Sequence, residues 1–209
     1  MRNQTGGATP RGLTRRQRVV KRLFDLGLAV PGFIATLPIV VVSVLVATID
    51  TREWGVFSQE RIGRGGETFN VHKIRSMRTS KAHTTTVTRT SDPRITKFGA
   101  FMRRTKIDEL AQLWDVVIGR MSIVGPRPDV AGWADELVGN DRIVLSVRPG
   151  ITGPASIAFR DEESILESVQ DPETYNRETL WPQKVRMNVE YVQNWSVWKD
   201  ISYVKDTFR

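Results

Sequence analysis

The feature that most constrains this sequence is an uncharged apolar segment near its N-terminus. Residues 26–49 run for 24 positions without a charge between Asp25 and Asp50. As a helix this segment would be about 36 Å long, and about 20 apolar residues suffice to cross a bilayer core. It is too long for a signal peptide, and no small-residue cleavage site precedes Asp50. A buried core helix is the alternative, but such a helix usually carries polar residues over this length. The sequence therefore predicts a membrane segment.

Both flanks of this segment are basic, which bears on its topology. Residues 1–22 contain seven Lys/Arg and no acid, and residues 51–109 contain thirteen bases against six acids. Basic residues mark the cytoplasmic side of a membrane segment, so a helix that leaves on the face it entered keeps both flanks there. Pro31 and Pro38 each remove a helix hydrogen bond, which favours a bend. We therefore expect a re-entrant helix broken near Pro38, with a straight span as the alternative.

Composition narrows the classes of site and of fold. The chain has 209 residues, no cysteine and two histidines, which excludes disulfides, a thiolate zinc site and a cysteine nucleophile and argues against a histidine cage. We expect a disordered basic tail over residues 1–13, a basic amphipathic start and membrane helix over 14–50, and one further domain over 51–209. The expected fold class is α+β and mainly helical, with a small hairpin or sheet and interfacial amphipathic helices.

Two strand-like runs, residues 54–59 and 67–74, flank a glycine-rich turn, and they predict a β-hairpin. The turn contains Arg61 and Arg64, so a tight turn and a basic phosphate cradle are both open interpretations. Residues 80–91 are polar and threonine-rich, which is most simply a mobile loop.

The segment 105–118 combines an apolar stripe with clustered charge. Its apolar residues have helical spacing and are Ile107, Leu110, Ala111, Trp114, Val117 and Ile118. Thr105 would cap this helix and place Asp108 in its first turn. Asp108 is then either a capping carboxylate or a carboxylate held ionised by the helix dipole and by nearby bases, Arg103, Arg104 and Lys106. An ionised carboxylate can attack phosphorus, and the bases would neutralise phosphate oxygens.

Two further arginines stand in rigid turns. Pro126 and Pro128 flank Arg127, and Arg148 precedes Pro149-Gly150. Proline leaves the backbone few conformations to lose, and arginine makes bidentate contacts to phosphate. Phosphate-binding arginines and solvent-facing structural turns are both open interpretations.

Six blocks occur in a fixed order: KRLFD (21–25), FSQERIG (57–63), FNVHKIRSM (69–77), DPRITKFGAFMRRTKIDELAQLW (92–114), GRMSIVGPRP (119–128) and VRPGITG (147–153). Together they resemble the bacterial sugar transferase family, the monotopic polyprenyl-phosphate phosphoglycosyl transferases, in its minimal single-domain form. The resemblance covers residues 18–155 densely and the remainder loosely. The order of the blocks is more specific than any one of them.

The resemblance implies transfer of a phosphosugar from a UDP-sugar to polyprenyl (undecaprenyl) phosphate with release of UMP, at the start of glycan or exopolysaccharide assembly. Residues 51–209 would then form a catalytic domain on the cytoplasmic face of the bacterial inner membrane. Asp108 would be the nucleophile of a ping-pong reaction with a covalent phosphosugar intermediate and would ligate the Mg²⁺ cofactor. Glu109 would position or deprotonate the polyprenyl phosphate. Phosphate-binding residues implied by the matching basic motifs are Lys73, Arg75, Arg103, Arg104, Arg127 and Arg148.

Two departures from the family pattern stand out. Leu37-Pro38 occupies the membrane break, where the family often has Ser-Pro, and residues 154–160 differ from the family after the Ile-Thr-Gly block. The partners expected are the UDP-sugar, the polyprenyl phosphate and the phospholipid membrane, with a homo-oligomer left open and no nucleic acid. The alternatives from other classes are a membrane-anchored nucleic-acid-binding protein and a non-catalytic scaffold for glycan enzymes. Groove-reading motifs are absent from the sequence, which argues against nucleic acid.

Overall fold

The computed structural model describes residues 12–79 and 92–209, and the fold is mainly helical. Predictions for residues 1–11 of the tail and for the loop 80–91 lie outside the described residues. The α-helices are α1 Arg15–Thr51, α2 Lys97–Thr105, α3 Gln112–Val117, α4 Pro154–Ala158, α5 Glu162–Glu167, α6 Pro172–Tyr175, α7 Trp181–Gln193 and α8 Val197–Thr207. The strands are β1 Val56–Ile62, β2 Thr68–Ile74, β3 Ser122–Val124 and β4 Gly150–Thr152.

The long helix α1 has a well-defined start and end. Thr14 and Gln17 form a reciprocal capping box, which satisfies two backbone N–H groups at its first turn. Arg52, in the left-handed conformation, ends the helix at the other side. Pro31 and Pro38 lie inside the helix, so the structure has one continuous helix where the sequence led us to expect a break at Leu37-Pro38. Among the described residues, α1 alone is long and apolar enough to cross a membrane.

The two halves of α1 pack against the same domain. In the first half, Lys21 Nζ lies 2.8 Å from Asp200 Oδ2 of α8, and both side chains are buried. In the second half, Ala47 is buried in one cluster with Ile74 of β2 and Met102 of α2. The opposite face of α1 exposes large apolar side chains, among them Val19, Leu23, Ile34, Leu37, Val42, Leu45 and Ile49. The helix therefore has one face on the protein and one unpaired apolar face.

A second polar contact fixes α1 to the centre of the domain. The Asp25 carboxylate accepts a hydrogen bond from the Ser122 hydroxyl at 2.9 Å and from the Ile123 backbone N–H at 3.0 Å. Both donors lie in β3, which pairs in parallel with β4. Asp25 is buried, and its hydrogen bonds offset the cost of removing a carboxylate from water.

The hairpin expected from the sequence is confirmed. β1 and β2 pair antiparallel, and a short 3₁₀ turn, Arg64–Gly66, joins them. Leu13, which the sequence led us to count as the last residue of the tail, is buried in the core with Tyr191 and Trp195. The apolar side chain of Leu13 is thus part of the folded domain, immediately before the cap of α1.

Candidate active site

Asp108 lies in a tight turn between two helices rather than inside one. α2 ends at Thr105, and Lys106 is left-handed with a φ of 58°, which takes the chain out of the helical path. A 3₁₀ turn, Ile107–Glu109, then carries both acids before α3 begins. The prediction of one helix capped by Thr105 is therefore wrong. The Thr105 hydroxyl instead donates to the Phe101 carbonyl of α2 at 2.9 Å.

The polar side of this segment faces the protein interior. Asp108, Gln112 and Asp115 are buried, whereas Trp114 and Ile118 of the predicted apolar stripe are 46% and 40% exposed. The Trp114 ring lies 5.7 Å from that of Phe33 on α1, measured between centroids, so this apolar side meets α1. The predicted apolar stripe is therefore divided: Ala111 and Ile107 pack into a core cluster, whereas Trp114 lies against α1.

A contact between Asp115 and His72 fastens α3 to the hairpin. One carboxylate oxygen of Asp115 accepts the His72 backbone N–H at 2.9 Å, and the other lies 2.7 Å from His72 Nδ1. His72 is the neighbour of Lys73 on β2, so this contact sets where the acidic turn stands relative to Lys73. Helical spacing predicts Asp115 on the polar face of a helix, but no local sequence signal identifies its pairing with His72.

The Asp108 carboxyl group is buried and short of partners. Its side-chain atom Oδ1 accepts no hydrogen bond from any described residue. Burial, followed by the nearby charge of Glu109, raises the pKa of Asp108, while the charges of Lys73, Arg103 and Lys106 act in the opposite direction. Asp108 is not in the first turn of an α-helix whose dipole would hold it ionised, as the sequence led us to expect, because it lies in a 3₁₀ turn and α3 begins only at Gln112. A buried acceptor without a donor is ready to accept a ligand atom.

Glu109 has the opposite electrostatic environment. Its Oε1 lies 3.2 Å from Lys73 Nζ and 3.1 Å from an Arg127 guanidinium nitrogen. Burial alone would raise the pKa of this carboxyl, but Arg127, Lys73 and Lys106 outweigh it and lower the pKa to about 2. Glu109 is therefore a fixed negative charge that holds two cations beside Asp108. Two adjacent carboxyl groups with pKa values displaced in opposite directions are typical of a reactive site.

Three of the six predicted phosphate-binding residues, Lys73, Arg103 and Arg127, act on the acidic pair. Lys73 and Arg127 contact Glu109 directly. Arg103 acts on the Asp108 carboxyl through its charge, and Arg104 is exposed on α2. The structure thus gathers cations from β2, from α2 and from the turn after β3 around one pair of acids.

The other two predicted phosphate-binding residues have different partners. Arg75 donates from Nε to the Trp54 carbonyl at 2.8 Å and pairs with Glu53 at 3.1 Å. Arg148 donates from Nε to the Gly119 carbonyl at 2.6 Å, beyond the far end of α3. Neither contacts the acidic pair, so phosphate binding by Arg75 and Arg148 stays a prediction that rests on the matching motifs.

Asp129 is a titratable group near this site that the sequence analysis did not single out. Burial raises the pKa of Asp129 to about 6, although the charges of Lys184, Arg61 and Arg127 oppose that rise. It follows the Pro-Arg-Pro block by one residue, a position that could have drawn attention to it. Asp129 acts on Arg127 through its charge and so couples to the cation that holds Glu109.

The oxygen donors of the site fit a magnesium ion with few protein ligands. The described residues include no group of three or more acidic or histidine side chains suited to a metal. Mg²⁺ is commonly held by one or two carboxylates together with substrate phosphates. Asp108 Oδ1, buried and without a donor, matches that requirement.

Comparison with known proteins places the whole described fold in one family. The sequence profile of bacterial sugar transferases matches residues 16–209, from the first turn of α1 to the C-terminal residue. The chain belongs to the bacterial sugar transferase family. This sugar transferase therefore contains α1, the hairpin and the acidic turn within the region that defines its family.

Three relatives of this sugar transferase carry names that state a reaction. It is 34% identical over 192 residues, 90% of its length, to the UDP-glucose:undecaprenyl-phosphate glucose-1-phosphate transferase of Escherichia coli. It is 33% identical over 208 residues to the UDP-galactose-lipid carrier transferase of Erwinia amylovora, and this match covers 91% of the chain. It is 35% identical over 206 residues, 93% of its length, to the undecaprenyl-phosphate glucose phosphotransferase of Komagataeibacter xylinus. The chain spans 39%, 40% and 36% of these relatives, respectively.

Proposed function

We propose that this sugar transferase moves a sugar 1-phosphate from a UDP-sugar to undecaprenyl phosphate, giving UMP and an undecaprenyl-diphosphate sugar. The names of two of the relatives contain undecaprenyl phosphate, and two contain a UDP-sugar. The observation that carries the proposal is the buried Asp108 carboxyl, whose Oδ1 has no partner among the described residues, beside a Glu109 that holds Lys73 and Arg127. This arrangement offers a nucleophile and phosphate-binding cations at one point.

In the first step, an Asp108 carboxylate oxygen attacks the phosphorus that bears the sugar. A bond forms between that oxygen and phosphorus, the bond from phosphorus to the bridging oxygen breaks, and its electron pair leaves with UMP. Lys73 and Arg127 stand where they can bind the phosphate oxygens of the donor. The burial of Asp108 strips water from the nucleophile and excludes a competing attack by water.

In the second step, a phosphate oxygen of the lipid attacks the same phosphorus and returns the Asp108 carboxylate. The lipid phosphate is an anion already, so little proton removal is needed for this attack. A carboxylate with a pKa of about 2 is a poor base at neutral pH, which favours positioning over deprotonation as the role of Glu109. Glu109 keeps Lys73 and Arg127 aimed at the reacting phosphate in both steps.

Magnesium fits this proposal through Asp108, the acid whose oxygen lacks a donor. When bound, Mg²⁺ would favour the ionised form of Asp108 and neutralise the charge that develops on the departing phosphate. The charges of Lys73, Arg103 and Lys106 oppose the rise in the pKa of Asp108 that burial causes. These bases therefore also favour the ionised form of Asp108.

The packing of α1 supports a re-entrant arrangement at the membrane. Lys21 and Ala47 contact one domain although a straight helix would separate them by about 39 Å, more than a bilayer core of about 30 Å. A helix with both ends on one domain dips into the bilayer from the side where that domain lies. The basic flanks assign that side to the cytoplasm, at the inner membrane.

The proposal is tested by UMP release from a panel of UDP-sugars in the presence of undecaprenyl phosphate. Purified full-length chain should release UMP with at least one of them, and Asp108→Asn should reduce the rate by at least about a thousandfold. Asp141→Asn is the matched control, because Asp141 is an exposed aspartate outside the site. UMP release that survives Asp108→Asn would contradict the assignment, and so would equal losses in both variants.

A further inference from the structure

A second group of cations lies apart from the acidic turn. An open cavity of about 460 Å³ has five arginines in its wall. They come from three places in the fold: the first turns of α1, the hairpin turn and the turn before β4. The cavity is lined by Arg15, Arg18, Arg22, Arg64 and Arg148, with Val19 and Leu23.

Two of these arginines are held in place by the C-terminal end of α3. Arg22 donates to the Val116 and Val117 carbonyls at 2.6 and 2.8 Å, and Arg148 donates to the Gly119 carbonyl at 2.6 Å. Carbonyls at a helix end carry partial negative charge and satisfy only some of the five N–H groups of each guanidinium. The rest of these donors remain for a ligand.

Gly119 lies beside both guanidinium groups. Its φ is +83°, and an added Cβ would lie 3.4 Å from an Arg22 nitrogen and 3.9 Å from an Arg148 nitrogen. A residue with a side chain would be strained at this φ, and its Cβ would be in van der Waals contact with both groups. The chain thus presents a pair of neighbouring guanidinium groups, a geometry suited to a phosphate.

The arginines of the cavity have no acidic side chain paired with them within the described part of the chain. No acidic residue lines the cavity, and none of its five arginines forms a salt bridge with a described residue. Burial, Arg64 and Arg22 lower the pKa of Arg148 and outweigh the charge of Asp25, which acts in the opposite direction. Cations that repel one another are stabilised by a shared anion, so the cavity favours an anionic ligand.

This cavity differs from the acidic site in position and in lining. Asp108 precedes α3, whereas Gly119 follows it, so the helix stands between the two groups of residues. The lining includes Val19 and Leu23, which are 53% and 65% exposed and lie one helical turn apart on α1. They continue into the unpaired apolar face of α1. We therefore expect the bound anion to carry an apolar group that lies on Val19 and Leu23.

We propose that this cavity binds the phosphate group of an anionic membrane phospholipid, with the lipid chain lying along Val19 and Leu23. The inference rests on the proposed membrane location of α1 and is independent of the transfer reaction. The bound lipid would fix the start of α1, the hairpin turn and the Arg148 turn to the headgroup layer, and so set the depth of the domain at the membrane.

The test is calorimetric titration of the full chain in a neutral detergent with three probes: dihexanoyl phosphatidylglycerol, dihexanoyl phosphatidylcholine and inorganic phosphate. Phosphatidylglycerol should bind about tenfold or more tighter than either of the others, because only it combines net charge with apolar area. Arg18→Gln/Arg64→Gln should weaken its binding by about 25-fold, at about fivefold per basic residue. Both residues are exposed, so this variant is expected to fold.

Arg16→Gln/Arg120→Gln is the matched control, since it removes the same charge from exposed positions outside the cavity. Equal weakening by both double variants would mean diffuse attraction and would overturn the proposal. Inorganic phosphate that binds as tightly as phosphatidylglycerol would identify a free-anion site and also overturn it. UMP release is measured in parallel, and a raised KM for the UDP-sugar in Arg18→Gln/Arg64→Gln would assign the cavity to the donor instead. If the proposed transfer reaction fails, the lipid titration can still be interpreted, because it measures binding and not UMP release.

Discussion

The fixed charge of Glu109 gives a stability prediction with a worked pH dependence. The pKa of this carboxyl is about 2 in the folded chain against an ordinary value of 4.5. A displacement of that size corresponds to about 3 kcal/mol in favour of the folded state at neutral pH. Because the folded pKa is the lower one, this stabilisation is complete above pH 4.5 and is lost as the pH falls towards 2.

The perturbation is Glu109→Gln, which keeps the shape of the side chain and removes its charge. Lys73 and Arg127 then lose their counterion, so the variant should unfold about 6–12 °C below the wild type at pH 7. At pH 3 the difference should fall to about half, because the Glu109 carboxyl is then almost fully protonated in the unfolded state, so that its ionisation in the folded state stabilises the fold less than at pH 7.

Thermal unfolding of the purified chain in detergent, followed from pH 7 to pH 3, measures this difference. Glu60→Gln is the control, because Glu60 is an exposed carboxylate of β1. The reasoning is refuted if wild type and Glu109→Gln keep the same separation at every pH. It is also refuted if Glu60→Gln reproduces the pH dependence of Glu109→Gln.

Three further predictions concern Asp108, α1 and topology. Asp108→Asn should raise the unfolding temperature at pH 7. Burial and Glu109 raise the pKa of Asp108 in the folded state, so the ionised carboxylate opposes folding and its removal stabilises the fold. A lower unfolding temperature for the variant would contradict this prediction. Lys21→Met should lower the free energy of unfolding by about 3–5 kcal/mol, because it leaves the buried Asp200 without its cation. The control Arg16→Met, at an exposed position, should change this free energy little. Similar losses for the two variants in urea titrations would refute the role of the Lys21–Asp200 pair. The chain has no cysteine, so single cysteines can be introduced at Arg16 and at Glu60. Both should react with a membrane-impermeant reagent only from the cytoplasmic side. Labelling of the two positions from opposite sides would mean that α1 spans the membrane.

The long helix and the hairpin could be predicted because their signals are local. A run of 24 uncharged residues predicts a helix whatever surrounds it. Two strand-like runs on either side of a glycine-rich turn predict a hairpin. The two prolines misled the prediction of a break, because a proline costs the helix one hydrogen bond but does not have to end it. The Thr36 hydroxyl donates to the Gly32 carbonyl at 2.8 Å in the turn before Pro38, a contact that accommodates bending within a continuous helix.

The segment around Asp108 shows why periodicity was insufficient there. The pattern identified an apolar stripe but assumed that apolar side chains face the interior. Here the helix α1 offers a second apolar environment, so Trp114 turns towards Phe33 while Asp115 is buried against His72. The left-handed Lys106 was equally hidden, because a lysine carries no preference for that conformation.

The basic motifs gave the residue types of the site but not their partners. Lys73 and Arg75 stand two residues apart, yet one contacts Glu109 and the other Glu53. Arg148 occupies a rigid turn as expected, but that turn lies at the far end of α3. Such pairings join residues far apart in the sequence and are set by the packing of α1, α3 and the hairpin, which no local pattern records.

The most direct test of the account is whether Asp108 carries the phosphosugar when no acceptor lipid is present. Purified chain would be incubated with a radiolabelled UDP-sugar that supports UMP release, quenched, digested and analysed by mass spectrometry. The account predicts a phosphosugar on Asp108, formed together with UMP and discharged when undecaprenyl phosphate is added. Lipid product that forms with no adduct at any quench time, or an adduct that persists in Asp108→Asn, would contradict it.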